Sequence, residues 1–398
     1  MNPSKRTAHY TLINVAYFAA YSSAHAYAAV FLLDRGFSNT AIGIVLALAN
    51  IMSVILQPFT AGLIDKYESF TNRKVSIFCA LSCIICSAFL YFVKAPIAAF
   101  ILYVTLYMLQ MIYQPLIQAL NFEYNAKGDK INFGLARGLG SCGFAVTSLI
   151  IGQLLVRYSI SVLQIVNIIA FSMGVLALFT FFAPKGETKI ETVSVLEDES
   201  QDESVAHNSL GSFIKTYPMF MLYVLGGTLL FFEHNALNDY LIQIITPLGG
   251  DESTMGTMVM IAALLELPTM AFFAKAEKKV GLKKILCLSA IMFTVKTLLM
   301  FFATNLVVAY ISQVCQIFAY ALFIPSGAYL AERVMEKNDK TKGQSYINCA
   351  ITLGGVFSAL VCGRLIDILD VHMMLLVSCI VGALGTVISL VAVRKIKI

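Results

Sequence analysis

Twelve long apolar stretches, divided six and six by an acidic polar segment, constrain this chain more than any other feature. The hydrocarbon core of a bilayer is about 30 Å thick, and an α-helix needs roughly 20 apolar residues to cross it. Backbone groups in lipid must be hydrogen-bonded within their own segment, so such stretches are expected to be helical. The sequence therefore predicts an all-α membrane protein whose twelve transmembrane helices form two pseudo-symmetric six-helix bundles.

The predicted spans follow from the apolar runs and the polar breaks between them. They are residues 9–33, 40–64, 75–93, 97–121, 133–156, 162–183, 213–245, 254–274, 283–302, 306–332, 345–368 and 371–393. The first stretch is too long for the apolar region of a signal peptide, so we expect it to be retained. The predicted domains are an N-terminal bundle at 1–183, a cytoplasmic acidic linker at 184–211 and a C-terminal bundle at 212–398.

The distribution of basic residues predicts the orientation of these spans. Most of the 28 Lys and Arg residues fall in loops on the side of the N-terminus, and only Arg35, Lys94, Arg157 and Arg364 fall in loops on the other side. The positive-inside rule then places both termini in the cytoplasm of a multi-pass protein of the plasma (inner) membrane. The rule also explains the net charge of +5 without a nucleic-acid partner. We expect the lipid bilayer and a small-molecule substrate as partners, and a monomer.

The two halves of the chain resemble each other weakly, which indicates a transporter. Basic loops follow the second and the eighth span, and small residues recur in the fifth and eleventh spans at Gly134, Gly138, Gly140, Gly143, Gly354, Gly355, Ala359 and Gly363. Duplicated six-helix halves around a midplane site are typical of secondary transporters. The chain has no G-x-x-x-x-G-K-[ST] phosphate loop, so a proton or substrate gradient is expected to drive transport, with no cofactor.

Ionisable side chains inside the spans are costly and therefore functional candidates. Glu266, Lys296, Glu233 and His234 fall at similar predicted depths. A conformational change that moves a carboxylate relative to a cation changes its proton affinity, so Glu266 or Glu233 is expected to couple transport to a proton with Lys296 as partner. The alternative is a static ion pair that locks the eighth and ninth spans together.

Polar side chains three or four residues apart mark helix faces turned away from lipid. They are Asn14, Tyr17, Tyr21 and His25 in the first span, Tyr103, Tyr107, Gln110, Gln114, Gln118 and Asn121 in the fourth, and Gln313, Gln316 and Tyr320 in the tenth. Amide and phenol groups suit a neutral, hydroxyl-bearing ligand. We expect Tyr21, His25, Tyr107, Gln114, Gln118, His234 and Gln316 to contact substrate. Hydrogen bonding between helices is the alternative.

A loop with an acid followed by bases predicts a cytoplasmic gate. Asp65 paired with Arg73 or Lys74 would hold the cytoplasmic side closed in one state. The alternative is that these bases only fix the topology.

With these residues in view, the chain resembles the major facilitator superfamily. Gly62-Leu63-Ile64-Asp65-Lys66, followed by Arg73-Lys74, is similar to the signature loop of that superfamily, with an insertion at 68–72. The segment 132–144 resembles the lactose permease group of oligosaccharide–proton symporters. Leu265-Glu266-Leu267-Pro268 looks like the phenylpropionate-permease-like pattern.

This resemblance implies roles for individual residues. Arg137 would bind substrate hydroxyls, Phe144 would stack on the substrate ring, and Lys296 stands where the family has a coupling arginine. Gln316 and Ala319 stand where the symporters have a His and a proton-carrying Glu. If coupling exists, Glu266 or Glu233 must therefore replace that pair.

Together these features predict a secondary active transporter for a small polar organic solute, sugar-like or nucleoside-like, that works by alternating access with proton cotransport. An enzyme is not expected, since neither H-E-x-x-H nor G-x-S-x-G occurs. A multidrug or metabolite exporter of the same superfamily and a non-transporting membrane sensor remain as alternatives.

Overall fold

The chain forms long α-helices. The structure, a computed structural model, describes residues 3–183, 210–336 and 339–396. The predicted acidic linker at 184–211 lies outside the described residues up to residue 209. From residue 3 to residue 183 the helices are α1 (Pro3–Tyr21), α2 (Ala28–Asp34), α3 (Asn39–Lys66), α4 (Asn72–Phe92), α5 (Pro96–Ala126), α6 (Phe133–Leu155) and α7 (Val162–Thr180). From residue 210 onward they are α8 (Leu210–Thr216), α9 (Pro218–Asp239), α10 (Leu241–Ile245), α11 (Glu252–Val280), α12 (Leu282–Phe301), α13 (Leu306–Val314), α14 (Tyr320–Val334), α15 (Lys340–Ile368) and α16 (Val371–Lys395).

The packing of these helices distinguishes two units. The first contains the described residues within 1–31 and 48–204, and the second contains those within 32–47 and 205–398. The predicted domain boundaries stay predictions, and this division differs from them at residues 32–47. In the first unit α1 packs against α6 and α7, and α4 packs against α5 and α7. In the second unit α9 packs against α15, α16 and α12. The helices α1 and α9 thus occupy corresponding central positions.

The spans confirm the predicted fold class of an all-helical membrane protein. Within the described ranges, 11 helical stretches are long and apolar enough to cross a bilayer if α13 and α14 are taken together as one (Leu306–Val334), and the bent pair of α1 and α2 makes twelve if it is one span. Several spans begin with a side chain that accepts a hydrogen bond from a free backbone N–H of the first turn. These N-caps are Thr71, Asn132, Asp251, Asn305 and Asp370. The polar loops therefore fix where the apolar helices start.

Three spans predicted as continuous helices are interrupted. The first span, predicted at 9–33, has a π-helical turn at Ser22–Ala26 and a bend of 50° before α2. The seventh, predicted at 213–245, breaks at Tyr217 and again at Tyr240. The break at Tyr217 follows from Pro218, because a residue before proline is disfavoured in the α conformation.

The tenth span, predicted at 306–332, is interrupted between α13 and α14. A 3₁₀ turn at Cys315–Ile317 joins the two helices, and the backbone leaves the α region at Ala319, with φ −84° and ψ −97°. The buried Ser289 hydroxyl on α12 donates to the Ala319 carbonyl at 2.8 Å. This bond from a neighbouring helix stabilises a break that lipid alone would not tolerate.

The predicted close approach of helices at small residues is found at some of the glycines and not at others. A Cβ at Gly354 on α15 would lie 2.6 Å from the Thr228 carbonyl oxygen and 2.7 Å from Phe231 Cβ, both on α9. A Cβ at Gly140 on α6 would likewise lie 2.7 Å from the Phe18 ring. Gly138 has nothing within 4 Å of such a Cβ. Only the glycines that face a neighbouring backbone or ring therefore allow a close approach of helices that a larger residue would prevent.

This contrast predicts the effect of adding a methyl group. We expect Gly354→Ala to destabilise the protein by about 1–3 kcal/mol, because backbone atoms of α9 cannot move away as a flexible side chain can. The measurement is the thermal unfolding midpoint in detergent. Gly138→Ala is the matched control and is expected to leave the midpoint unchanged or raise it slightly. Equal losses in both variants would contradict the packing described here.

Candidate functional site

A chain of three polar side chains in the second unit links two buried residues to a half-buried one. Lys296 on α12 is 1 % exposed, and its Nζ donates to Gln316 Oε1 at 2.7 Å. Gln316 Nε2 then donates to Glu266 Oε1 on α11 at 2.7 Å. The amide of Gln316 therefore presents its oxygen to the ammonium and its N–H to the carboxylate. Lys296, predicted as the partner of Glu266 or Glu233, is thus connected to Glu266 through Gln316.

The interruption of the tenth span positions this chain. Gln316 lies in the 3₁₀ turn at Cys315–Ile317, where the local geometry differs from that of an α-helix. One turn earlier, the Ser312 hydroxyl donates to the Lys296 backbone carbonyl at 2.8 Å. The end of α13 therefore binds the backbone of Lys296 and the turn binds its side chain, which fixes the ammonium next to Gln316.

Glu233 on α9 lies in a separate and drier environment. Its side chain is fully buried, and its Oε1 lies 3.1 Å from the Thr294 hydroxyl on α12. The Thr294 hydroxyl is in turn 2.9 Å from the Thr386 hydroxyl on α16, which donates to the Ala290 carbonyl at 2.7 Å. The other oxygen, Oε2, has no hydrogen-bond partner.

His234 belongs to an aromatic wall next to Glu233. Its ring is stacked on Tyr320 with centroids 5.1 Å apart and planes at 10°. Phe231 and Phe293 meet the same ring edge-on at 5.6 and 5.5 Å. His234 Nε2 pairs with the Asn238 amide at 2.9 Å, and Nδ1 has no partner. Aromatic faces around one unpaired polar atom are suited to a ring-bearing ligand.

In the first unit the structure brings four predicted substrate residues together. The His25 ring is stacked on Tyr21, with centroids 3.9 Å apart and planes at 15°. Its other face meets Tyr107 at 3.6 Å, and Phe144 on α6 lies 6.0 Å from Tyr21. These rings come from α1, its π-helical turn, α5 and α6. Tyr21 and His25 belong to the polar stripe predicted for the first span and Tyr107 to that of the fourth, and the structure brings the two stripes into contact here.

Two neighbouring polar groups in this cluster make no hydrogen bond of normal geometry. They are the buried ring of His25 and the amide beside it. Gln110 on α5 lies beside the His25 ring, is 0 % exposed, and neither atom of its amide makes a bond of normal geometry. An unsatisfied buried donor or acceptor costs about 1–3 kcal/mol, so the arrangement favours a site that a ligand or water completes. Gln110 belongs to the predicted polar stripe, although it was not among the expected substrate residues.

Arg137 on α6 is half-buried beside Phe18 of α1. Its guanidinium carbon lies 4.1 Å from the centre of the Phe18 ring, and Nη1 donates to the Ser141 hydroxyl at 3.0 Å. The remaining N–H groups of Arg137 are the ones a hydroxylated substrate would use. Gln114 and Gln118 are half-buried on α5. Arg137 lies in the first unit and Glu266 and Lys296 lie in the second, so a chamber shared by all three stays a prediction.

The predicted gate residues have other partners in the described state. Arg73 donates to the carbonyls of Leu178 and Phe179 at 2.7 Å each, and its guanidinium lies 4.2 Å from the centre of the Phe182 ring. Lys74 Nζ donates to the Ser69 carbonyl at 3.0 Å. Arg73 thus binds the end of α7, and Lys74 binds the loop that precedes α4. A gate formed with Asp65 stays a prediction.

Comparison with known proteins places this geometry in a family. A profile described as "MFS_1 like family" matches residues 9–377. The uncharacterized transporter YwbF of Bacillus subtilis (strain 168) is 23% identical over 367 residues, which cover 92% of this chain and 87% of YwbF. The crystal structure of the nucleoside transporter NupG is 15% identical, with a TM-score of 0.77 over 100% of both chains. A bacterial homologue of the iron transporter ferroportin is 11% identical, with a TM-score of 0.73 over 99% of this chain and 100% of its own. At these identities the solved structures establish the fold alone.

The ring cluster of the first unit leads to a prediction about stability. We expect His25→Phe to leave the thermal unfolding midpoint unchanged or to raise it, because phenylalanine keeps the stack and removes two buried nitrogens that make no hydrogen bond of normal geometry.

Tyr103→Phe is the matched control for this prediction. The Tyr103 hydroxyl donates to the Ala24 carbonyl at 2.8 Å between the same two helical segments, so its loss is expected to cost about 1 kcal/mol. If His25→Phe lowers the midpoint as much as Tyr103→Phe does, the His25 nitrogens have a structural role and the assignment to a ligand site is wrong.

Proposed function

The chain belongs to the MFS_1 like family and is a multi-pass membrane transporter of the major facilitator type, and on that premise we propose that it moves a small polar organic solute by secondary active transport. The solute is sugar-like or nucleoside-like and crosses by alternating access, together with a proton. The observation that carries this proposal is the buried chain Lys296–Gln316–Glu266.

The side chains of both units support the choice of solute. The Tyr21–His25–Tyr107 stack offers aromatic faces, which bind either a planar base or the apolar face of a sugar. The buried Gln110 amide and the Arg137 guanidinium offer hydrogen bonds to ring substituents and hydroxyls. NupG, whose fold this chain shares, is a nucleoside transporter. A cavity for apolar drugs would not need these polar groups, which favours a solute over a drug as the cargo.

The chain from Lys296 to Glu266 supports coupling to a proton. While Glu266 is ionised, each end of the Gln316 amide faces the charge that it stabilises, which strengthens both hydrogen bonds. Protonation of Glu266 removes the negative end and leaves the Lys296 ammonium buried with fewer compensating contacts. The two protonation states therefore favour different arrangements of α11, α12 and the 3₁₀ turn, as coupling requires.

Further parts of the proposal rest on the sequence. The likeness of segment 132–144 to the oligosaccharide–proton symporters and of Leu265–Pro268 to the phenylpropionate-permease-like pattern supports a symporter. The basic loops support a plasma (inner) membrane location with both termini in the cytoplasm. A monomer without a cofactor, driven by the proton gradient, accounts for the proposed activity.

Transport by purified protein in proteoliposomes tests the proposal. We expect radiolabelled nucleosides or sugars to accumulate when an inward proton gradient is imposed. Glu266→Gln should abolish this accumulation but keep exchange of labelled for unlabelled solute, because the amide fills the same space without binding a transferable proton. Glu332→Gln is the control, since that side chain is 65% exposed and lies only near Lys340.

Each other outcome has a defined meaning. Accumulation that survives undiminished in Glu266→Gln shows that Glu266 is not the coupling group. Absence of both uptake and exchange for every nucleoside and sugar, while apolar cations are extruded, would favour an exporter. Absence of any movement of solute would favour a sensor.

A further inference from the structure

Three short oxygen–oxygen contacts around Glu233 connect three helices in the second unit. They join Glu233 Oε1 to Thr294 Oγ1 at 3.1 Å, Thr294 Oγ1 to Thr386 Oγ1 at 2.9 Å, and Thr386 Oγ1 to the Ala290 carbonyl oxygen at 2.7 Å. At such distances each contact is attractive only if it contains a hydrogen. The row therefore needs three hydrogens.

The two threonines supply only two of them. A hydroxyl has one hydrogen to donate, and a carbonyl has none. The Ala290 carbonyl can only accept, so the Thr386 hydroxyl donates to it. The contact between the threonines then requires Thr294 to donate to Thr386, which leaves no hydrogen on Thr294 for the carboxyl.

The third hydrogen must come from the Glu233 carboxyl itself. Thr297 also lies within hydrogen-bonding reach of this carboxyl, but it is not part of the row and supplies no hydrogen to it; its hydroxyl donates to the Phe293 carbonyl at 3.2 Å. We infer that Glu233 is a proton-binding site that is occupied in this state, so that its acid O–H donates to Thr294, Thr294 donates to Thr386, and Thr386 donates to the Ala290 carbonyl.

The other carboxyl oxygen fits a neutral acid. Oε2 is buried against the backbone of Gly382 on α16, where an added Cβ would overlap it, and it has no hydrogen-bond partner. A carbonyl oxygen without a partner is a modest cost, whereas half of an ionised carboxylate without one would cost several times more. The absence of a side chain at Gly382 is what gives the acid its space.

The charged groups around Glu233 agree with this assignment. Lys296 on α12 is the cation that faces the carboxyl, and its ammonium donates a hydrogen bond to Gln316 rather than to Glu233. Cys379 on α16 also faces the carboxyl, and His234 is the next residue of α9. Gly354 and Gly355 of α15 pack on α9 and bring no charge. With Glu233 neutral, the buried charges of Lys296 and Glu266 balance each other.

This site goes beyond the proposed transport activity, because it holds a proton whether or not transport is coupled to one. Glu266 is half-buried, and its hydrogen-bonded chain ends at the Lys296 ammonium. Glu233 is fully buried, and its row ends at the Ala290 carbonyl. The protein therefore has two carboxyl groups of different character within one unit. Release of the Glu233 proton requires α9, α12 and α16 to move apart.

Infrared difference spectroscopy of the purified protein at pH 7 tests the assignment without any transport assay. The spectrum of the unaltered protein minus that of Glu233→Gln is expected to contain the C=O band of a protonated carboxylic acid. The difference spectrum for Glu266→Gln is expected to contain carboxylate bands instead. Loss of carboxylate bands in Glu233→Gln would overturn the inference.

A second pair of variants tests the direction of the hydrogen bond. Thr294→Val should shift the acid band, because the acid O–H loses its acceptor. Thr269→Val is the matched control, since that hydroxyl bonds only to the Leu265 carbonyl, at 3.3 Å, and the band should stay in place. An unshifted band in Thr294→Val would show that the acid proton does not lie on this row. A failed uptake assay with an intact acid band would overturn the transport proposal alone.

Discussion

The absence of water from the bilayer core is the constraint on which the rest of this structure depends. Every polar group placed there needs a partner from the protein, and an unpaired charge is far more costly than an unpaired amide. The Lys296–Gln316–Glu266 chain meets this requirement with one glutamine, whose amide compensates a cation at one end and a carboxylate at the other. The row of Glu233, Thr294 and Thr386 meets it in a different way, by keeping the carboxyl neutral.

Departures from regular helix bring the functional groups to these positions. His25 lies in the π-helical turn Ser22–Ala26, and π-helical turns are frequent at functional sites because they change the direction of one side chain at little cost elsewhere. Gln316 lies in the 3₁₀ turn between α13 and α14, which Ser289 and Ser312 tie to α12. A regular helix through either point would place these side chains at different angles. The two helix irregularities therefore set the directions of the His25 and Gln316 side chains.

Much of this could be predicted from the sequence, for reasons that are physical. Apolar length fixed the spans, and the cost of burying a charge singled out Glu266 and Lys296. The interruptions at 22–26 and 315–319 could not be predicted, because neither segment contains proline or glycine. The sequence also did not identify the residues around Glu233, which are Thr294, Thr386 and Gly382. A hydroxyl in a membrane helix usually bonds its own backbone, and a glycine reveals its purpose only when the atom beside it is known.

The most direct test of the central claim is a double-mutant cycle on Lys296 and Glu266, read as thermal unfolding midpoints in detergent. Lys296→Met and Glu266→Gln each leave one charge of the chain without its counterpart, and each should lower the midpoint. The double variant removes both charges, so its loss of stability is expected to be smaller than the sum of the losses in the two single variants. The difference, the coupling free energy, is expected to be about 0.5–3 kcal/mol. Additive losses would mean that Gln316 does not connect the two charges and would contradict this account.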